Sequence, residues 1–450
     1  MSNTSVVPEQ EFNRRRIFLI CSLALFTIAL SMSLRATVAS DLKTIFLDPI
    51  DFTQSATLIA QALGITFLGF AITLFIISPF MDFIGMGRAL LIAGSLIILG
   101  NLPLVFAGEF ATGVANDMGV YWALWSGMLL SGIAWGFVEA AINPATAALY
   151  PEDKVHRLNI LHAWWPGGLI AGGLFGLLIS AFDLNWQIAL AVIFVPACAI
   201  IWLTIGVKFP KTESAEMNVS FGEMLQEIFK RPSFFIWFGA MFLTAASELA
   251  PGQWIDLALT HTVGMRGILL LVYVSGIMFV LRHFAGPIAH RLSPVGLLWG
   301  SALLTSLGLY FLSVANSPIT GLLAATIWGA GVCFMWPTML ASAAERYPRG
   351  GAWTIGLIGS AGALSTYFVL PILGAAYDKA KLKAAGGEQA FAAMTAGSPE
   401  HTETLVYAAE QSFQMVAYLP LALLVIFGGI WFSDQRKNKA VSGDPAKSEA

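Results

Sequence analysis

Charge is what this chain is short of. Asp, Glu, Lys and Arg make up 11% of its 450 residues, against about 25% in a soluble domain. Hydrophobic residues make up 57%, and the mean hydropathy is +0.74. A soluble fold of this size could not hide so much apolar surface, so the chain reads as an integral membrane protein with the bilayer as its main partner. There is no basic block, and the formal net charge is −3, which argues against nucleic acid as a partner. Cysteine is scarce too. Cys21, Cys198 and Cys333 lie in apolar runs at no metal or disulfide spacing, and the six histidines form no ligand cluster. No phosphate loop, nucleotide fingerprint or catalytic triad is present. The sequence therefore points to no cofactor, no metal and no enzyme, and it disfavours an ATP-driven pump.

What is abundant is apolar runs of about 20 residues, the length of a spanning helix. They fall at 17–42, 56–80, 89–107, 120–149, 158–181 and 186–207, then at 234–257, 267–288, 295–315, 319–343, 352–377 and 412–432. Ile17 to Leu34 follows Arg14-Arg15-Arg16 like a signal peptide. It is longer than a usual signal core and no small-residue cleavage site follows, so it reads as the first span. The expected architecture is all-α: twelve transmembrane helices in two pseudo-symmetric six-helix bundles. The expected divisions are 1–207, a linker 208–232, 233–435 and a tail 436–450. Phe221–Phe229 in the linker reads as a short amphipathic surface helix. With both termini in the cytoplasm, 17 of the 24 Lys and Arg residues fall inside, five outside and two within spans, as the positive-inside rule requires. The expected home is the plasma or inner membrane. Tyr377 to Thr404 reads as a flexible outer loop.

The halves echo each other. Gly136, Pro144 and Tyr150-Pro151 match Gly329, Pro337 and Tyr347-Pro348, and the short loop Ser78–Arg88 has a looser echo around Gly286–Arg291. Repeated six-helix halves are the mark of transporters that rock about a central site. Glu139 is the one charged residue between Val120 and Tyr150. A carboxylate at membrane depth must face a protein interior or a water-filled cavity, and such residues are functional by default. Asn143 lies one turn on, on the same face. A carboxyl group reached from each side in turn can load a proton on one and release it on the other. The duller reading of Glu139 is a structural bond to another helix.

The stretch Gly136-Phe-Val-Glu139-Ala-Ala-Ile-Asn143-Pro144, with Arg157-Leu158-Asn159 and Gly168, is similar to the fucose permease (fucose–galactose–proton symporter) family. The six-plus-six plan resembles the wider major facilitator superfamily, whose loop motif is partly matched at Asp82–Arg88. The resemblance implies that Glu139 takes part in proton coupling and sugar binding, beside Asn143-Pro144. A substrate-contacting Gln of the family falls on His162, and a nearby Asn falls on Trp165. The family's acidic residue in helix one falls around Arg35–Ala36, where this chain has no carboxylate.

Other polar residues inside apolar runs extend the candidate site. Arg35 keeps its charge and is read either as a partner of Glu139, as a grip for an anionic substrate, or as a side chain snorkelling to the surface. Glu248 precedes Pro251-Gly252, which should break its helix and free backbone groups. Gln253 and Trp254 just beyond suit a polyol's hydroxyls and its C–H face. Asn159, His162 and Trp165 step along one helix face; His162 can bond a hydroxyl or exchange a proton. Gln61, Trp328 and Trp336 are further candidate lining residues. Asp82, Arg88, Asn159, Arg282 and Arg291 are read as gate residues near the cytoplasmic loops. Gly168, Gly172 and Gly176 allow close helix packing, at a surface that could slide.

The expected function is proton-coupled symport of a monosaccharide or related polyol by a monomeric carrier. Carriage of a sugar acid or other organic anion held by Arg35 stays open. So do sodium-coupled or uncoupled transport and, from another class, a non-transporting membrane sensor. Drug efflux fits least, because the candidate lining offers several hydroxyl-matching groups.

Overall fold

The computed structural model describes residues 12–50, 55–110, 118–395 and 397–442. Gln253 and Trp254 lie within a helix, but their side chains are outside the described residues. All regular structure among the described residues is helical. Among the described residues, eleven helices are long and apolar enough to cross a bilayer, and the shorter Gly267–Arg282 makes a twelfth apolar helix. We number the spans α1 (Arg14–Leu42), α2 (Ser55–Ile77), α3 (Met86–Val105), α4 (Gly119–Leu149), α5 (Lys154–Ala181) and α6 (Trp186–Thr204). The second six are α7 (Ser233–Val263), α8 (Gly267–Arg282), α9 (Pro294–Ser313), α10 (Pro318–Arg346), α11 (Gly351–Ala385) and α12 (Pro399–Arg436).

Within each half, small residues let the helices close up. A Cβ on Gly132 of α4 would stand 2.0 Å from the Thr66 carbonyl oxygen of α2. The Gly168, Gly172 and Gly176 stripe faces Phe26, Ser33 and Thr37 of α1. It therefore packs inside one half and is not a sliding surface. Two seams join the halves. On one, α2 meets α11: Ser360 Oγ donates to the Ala71 carbonyl at 3.0 Å, and Gly356 leaves room for Ser78. On the other, α5 meets α8, with Gly173 against Val272 and Gly167 against Phe279.

The pseudo-symmetry reaches the loops. Met81–Ile84 and Ala285–Leu292 are short helices that each end on a residue with positive φ, Gly85 at 81° and Ser293 at 65°, before α3 and α9 begin. The linker forms the expected amphipathic helix at Phe221–Lys230, opened by a Ser220/Glu223 capping box. It is tied to both halves. Glu213 pairs with Lys154 at 2.6 Å and Thr212 donates to Asp82 at 2.6 Å, while Glu223 pairs with Arg349 at 3.2 Å.

Two expectations of the sequence fail here. The segment 377–404 is largely helical: α11 runs on to Ala385, and a helix spans Glu388–Ala393. Its alanines, its lysines and Leu382 are strong helix formers and sustain the helix past the apolar run. And α7 is not broken by Pro251-Gly252; it continues to Val263. The Ser247 carbonyl that Pro251 leaves without a helical donor instead accepts the Trp328 indole N–H at 3.1 Å.

Candidate functional site

The prolines of the spanning helices explain where the polar groups gather. A proline inside a helix has no N–H to offer the carbonyl four residues back. Pro166 thus frees the carbonyl of His162 in α5, and Pro337 frees that of Cys333 at the break in α10. In a bilayer interior such carbonyls must find another donor. Both find the same one. Arg282, at the end of α8, donates from Nη1 to His162 O at 2.5 Å and from Nε to Cys333 O at 2.6 Å. Its Nη2 faces Glu248 Oε1 at 3.3 Å. Arg282 belongs to the second half and His162 to the first, so this guanidinium ties the halves together.

The other end of the chain of bonds is Glu139. It is 4% exposed. Asn143 Nδ2 donates to its Oε2 at 2.5 Å, and Asn143 Oδ1 lies 2.9 Å from His162 Nε2. With the amide nitrogen given to the carboxylate, the amide oxygen is left to accept, so His162 Nε2 carries a proton in this arrangement. A continuous path of hydrogen bonds and backbone therefore runs Glu139, Asn143, His162, Arg282, Glu248, from an acid in one half to an acid in the other.

This path borders a small central cavity between the halves, lined by Glu139, His162, Trp165, Glu248, Arg282 and Trp336 together with Phe67, Phe70 and Leu249. Its volume is about 20 Å³, room for roughly one or two waters, whereas ligand pockets usually span about 300–1,000 Å³. The centre is closed.

The structure moves several of the expected site residues. Trp328 does not line the cavity; it is buried against Gly308 and holds the Ser247 carbonyl. Gln61 is exposed, accepts from Tyr121 at 3.2 Å, and is not among the cavity residues. Arg282 was expected at a gate, but the two proline-freed carbonyls draw it into the centre. Arg35 forms no ion pair with Glu139. It neither snorkels nor faces the cavity: at 2% exposure it donates from Nη2 to Ser131 at 2.5 Å and lies 6.0 Å from the Trp135 ring. Asn159 is buried and bonds the Val155 carbonyl, while Asp82, Arg88 and Arg291 are exposed at the linker end. The sequence reading passed over Phe67, Phe70, Leu249, Ser131 and Trp135. Ser131 and Trp135 stand eight and four residues before Glu139, on its helix face, and that spacing was available as a signal.

Fold and site together describe a secondary transporter. The Major Facilitator Superfamily model matches residues 44–375, and the chain belongs to that superfamily; it is a membrane transporter and not an enzyme. Among solved structures, a variant of the E. coli fucose:proton symporter, FucP, aligns at a TM-score of 0.61 with 16% identity, covering 90% of this chain and 98% of that one. The E. coli xylose transporter XylE in a partially occluded inward-open form aligns at 0.65 with 14% identity, covering 90% and 97%. The human organic anion transporter MFSD10 (TETRAN) aligns at 0.68 with 13% identity, covering 93% and 100%. At these identities the likeness is one of fold. Comparison with curated protein sequences finds no match.

Proposed function

We propose that the protein is a proton-coupled symporter of a small hydroxylated solute of the sugar or polyol class, working by alternating access. The observation that carries this reading is the path from Glu139 through Asn143 and His162 to Arg282 and Glu248. It links a protonatable group to a bond that crosses between the halves. When Glu139 takes a proton on Oε2, the oxygen that Asn143 holds becomes a donor and the Asn143 amide turns its own oxygen toward it. The Asn143 nitrogen then faces His162 Nε2, which must accept. The protonation state of Glu139 is thereby written into the ring of the residue whose carbonyl Arg282 holds.

Trp165 and Trp336 supply the apolar faces that a sugar's C–H groups need, and Glu139, His162 and Glu248 supply partners for its hydroxyls. Fucose:proton and xylose:proton symporters share the fold. In the orientation that the Lys and Arg distribution supports, the linker end faces the cytoplasm. The solute docks from the opposite face with Glu139 protonated, the halves rock, and solute and proton leave on the linker side. The solute can drive this only through its different affinity for the two conformations.

The test is uptake into proteoliposomes under an imposed pH gradient, for the wild type and Glu139→Gln. We expect the gradient to drive accumulation in the wild type alone, while Glu139→Gln still exchanges solute across the membrane. Equal gradient-driven accumulation in both removes Glu139 as the proton carrier.

A further inference from the structure

Among the described residues, the carboxylates and guanidinium groups buried within the spanning helices are Arg35, Glu139, Glu248 and Arg282. Glu248 and Arg282 cancel each other at 3.3 Å. Arg35 has no such partner. Its Nη2 is bonded to the neutral Ser131, while its Nε and Nη1 are buried with no acceptor at all. The Trp135 indole N–H beside it is likewise buried without an acceptor. A guanidinium cannot escape by losing its proton, and a buried charge left uncompensated is strongly destabilising. The donors of this cluster exceed its acceptors, which is the composition of a site for an anion.

Position supports a role in transport. Ser131 lies eight residues before Glu139 on α4, about 12 Å along the helix, on the side away from the linker. Farther along α1, Thr37, Val38 and Asp41 line a hollow of about 590 Å³ at the same end of the molecule. The Trp135 ring meets Trp165 edge-on at 6.3 Å, and Trp165 lines the central cavity. Trp135 and Trp165 thus connect Arg35 to the central cavity.

We propose that the cargo is a monoanion, a sugar acid or similar hydroxylated carboxylate, whose carboxylate is held by Arg35 and the Trp135 N–H while its hydroxyls reach the central cavity. This rests on the symporter reading above and names its substrate class. Charge balance gives the coupling. With Glu139 ionised, the charges of Arg35 and Glu139 sum to zero across the site and the pull on an anion is weaker, although the Arg35 donors stay unfilled. With Glu139 protonated, a net positive charge remains and the anion restores neutrality. Proton and anion therefore favour each other's binding, and the loaded carrier moves no net charge.

The test uses the full chain in proteoliposomes, with labelled D-glucuronate and D-galactose as probes. Each is offered a pH gradient, and separately a potassium diffusion potential at equal pH. We expect glucuronate to accumulate under the pH gradient and not under the potential alone, with galactose far behind. Arg35→Gln should cut glucuronate uptake about thirtyfold or more, the fold-change for deleting one partner of a buried charged contact. Arg35→Lys should keep part of it. Should the variants fail to fold, the wild-type comparison of the two probes decides. Galactose carried as well as glucuronate, or uptake driven by the potential, overturns the proposal and leaves the symporter reading standing. If neither probe accumulates, melting at acidic pH decides: stabilisation of the wild type by glucuronate keeps the anion site while the symporter reading falls, and no stabilisation ends the proposal.

Discussion

Arg282 donates across the divide between the halves to the carbonyl of His162, and that carbonyl is free because Pro166, four residues on, has no N–H to fill it. The same guanidinium takes the Cys333 carbonyl freed by Pro337. A local defect in two helices has become one of the contacts that hold the two lobes of the molecule together.

Replacing Pro166 with alanine tests this without touching a charge. Alanine restores the helical N–H, which then competes for the His162 carbonyl. The helix itself gains, since proline in an interior costs about 3 kcal/mol. The cross-half bond weakens by about 1.5 kcal/mol or more, the worth of a hydrogen bond to a charged group. Spin-label distances across both ends of the molecule should show open forms more populated in Pro166→Ala at undiminished thermal stability. An unchanged distance distribution would show that this bond is no latch.

Glu248→Leu leaves Arg282 buried without its carboxylate, and we expect a loss of about 3–5 kcal/mol. Removing both partners of a simple pair often recovers that loss. Here Glu248→Leu with Arg282→Met should stay about 2 kcal/mol or more below the wild type, because the His162 and Cys333 carbonyls lose their donor as well. Thermal melts of the four proteins in one detergent complete the cycle. Full recovery in the double variant would mean that the carbonyl bonds contribute little.

Two glycines separate folding from conformational change. A Cβ on Gly132 meets the Thr66 backbone within one half, while a Cβ on Gly356 meets Ser78 across the α2–α11 seam. Gly132→Ala should lower thermal stability by about 1–3 kcal/mol, as overpacking does. Gly356→Ala should leave stability closer to the wild type and instead open the seam at the linker end. Alkylation of a cysteine placed in that seam should speed up in Gly356→Ala and not in Gly132→Ala.

Ser293 holds φ at 65° and ψ at 158° where its pseudo-symmetric counterpart is Gly85. That region of backbone space costs a non-glycine residue about 1–3 kcal/mol. Ser293 Oγ caps the Gly296 N–H at 3.2 Å, and exchanging such a cap for glycine loses only a few tenths of a kcal/mol. Ser293→Gly should therefore raise stability by about 1 kcal/mol in a thermal melt. A lowered melting temperature would show that the cap outweighs the strain.

The helices were legible in the sequence because burial in a bilayer imposes one requirement on every span, a long apolar run, and each expected run corresponds to an observed helix. Glu139, Asn143 and His162 were legible for a related reason: polar groups in such runs stand out, and helical spacing puts the first two on one face. What could not be read was which partner each polar residue finds. Gln61, Trp328 and Arg35 look alike as polar or amphipathic interruptions. Only three-dimensional packing sends one to the surface, one to a proline-freed carbonyl and one to an orphaned cluster beside Trp135. Pro251 was read as a helix breaker. Counting four residues back from Pro166, Pro251 and Pro337 would have marked the carbonyls that Arg282 and Trp328 now hold.

The closed centre has a consequence for how strongly any cargo can be held. A hollow of about 20 Å³ must be prised apart before a solute the size of a hexose fits, so part of the attraction is consumed in separating the lobes. Measured affinity then falls short of what the contacts alone would yield, in proportion to how rarely the wider form is visited. On the symporter reading, the same tight middle, ringed by Phe67, Phe70, Trp165 and Trp336, leaves water and ions little room to slip through while the unloaded carrier swings back.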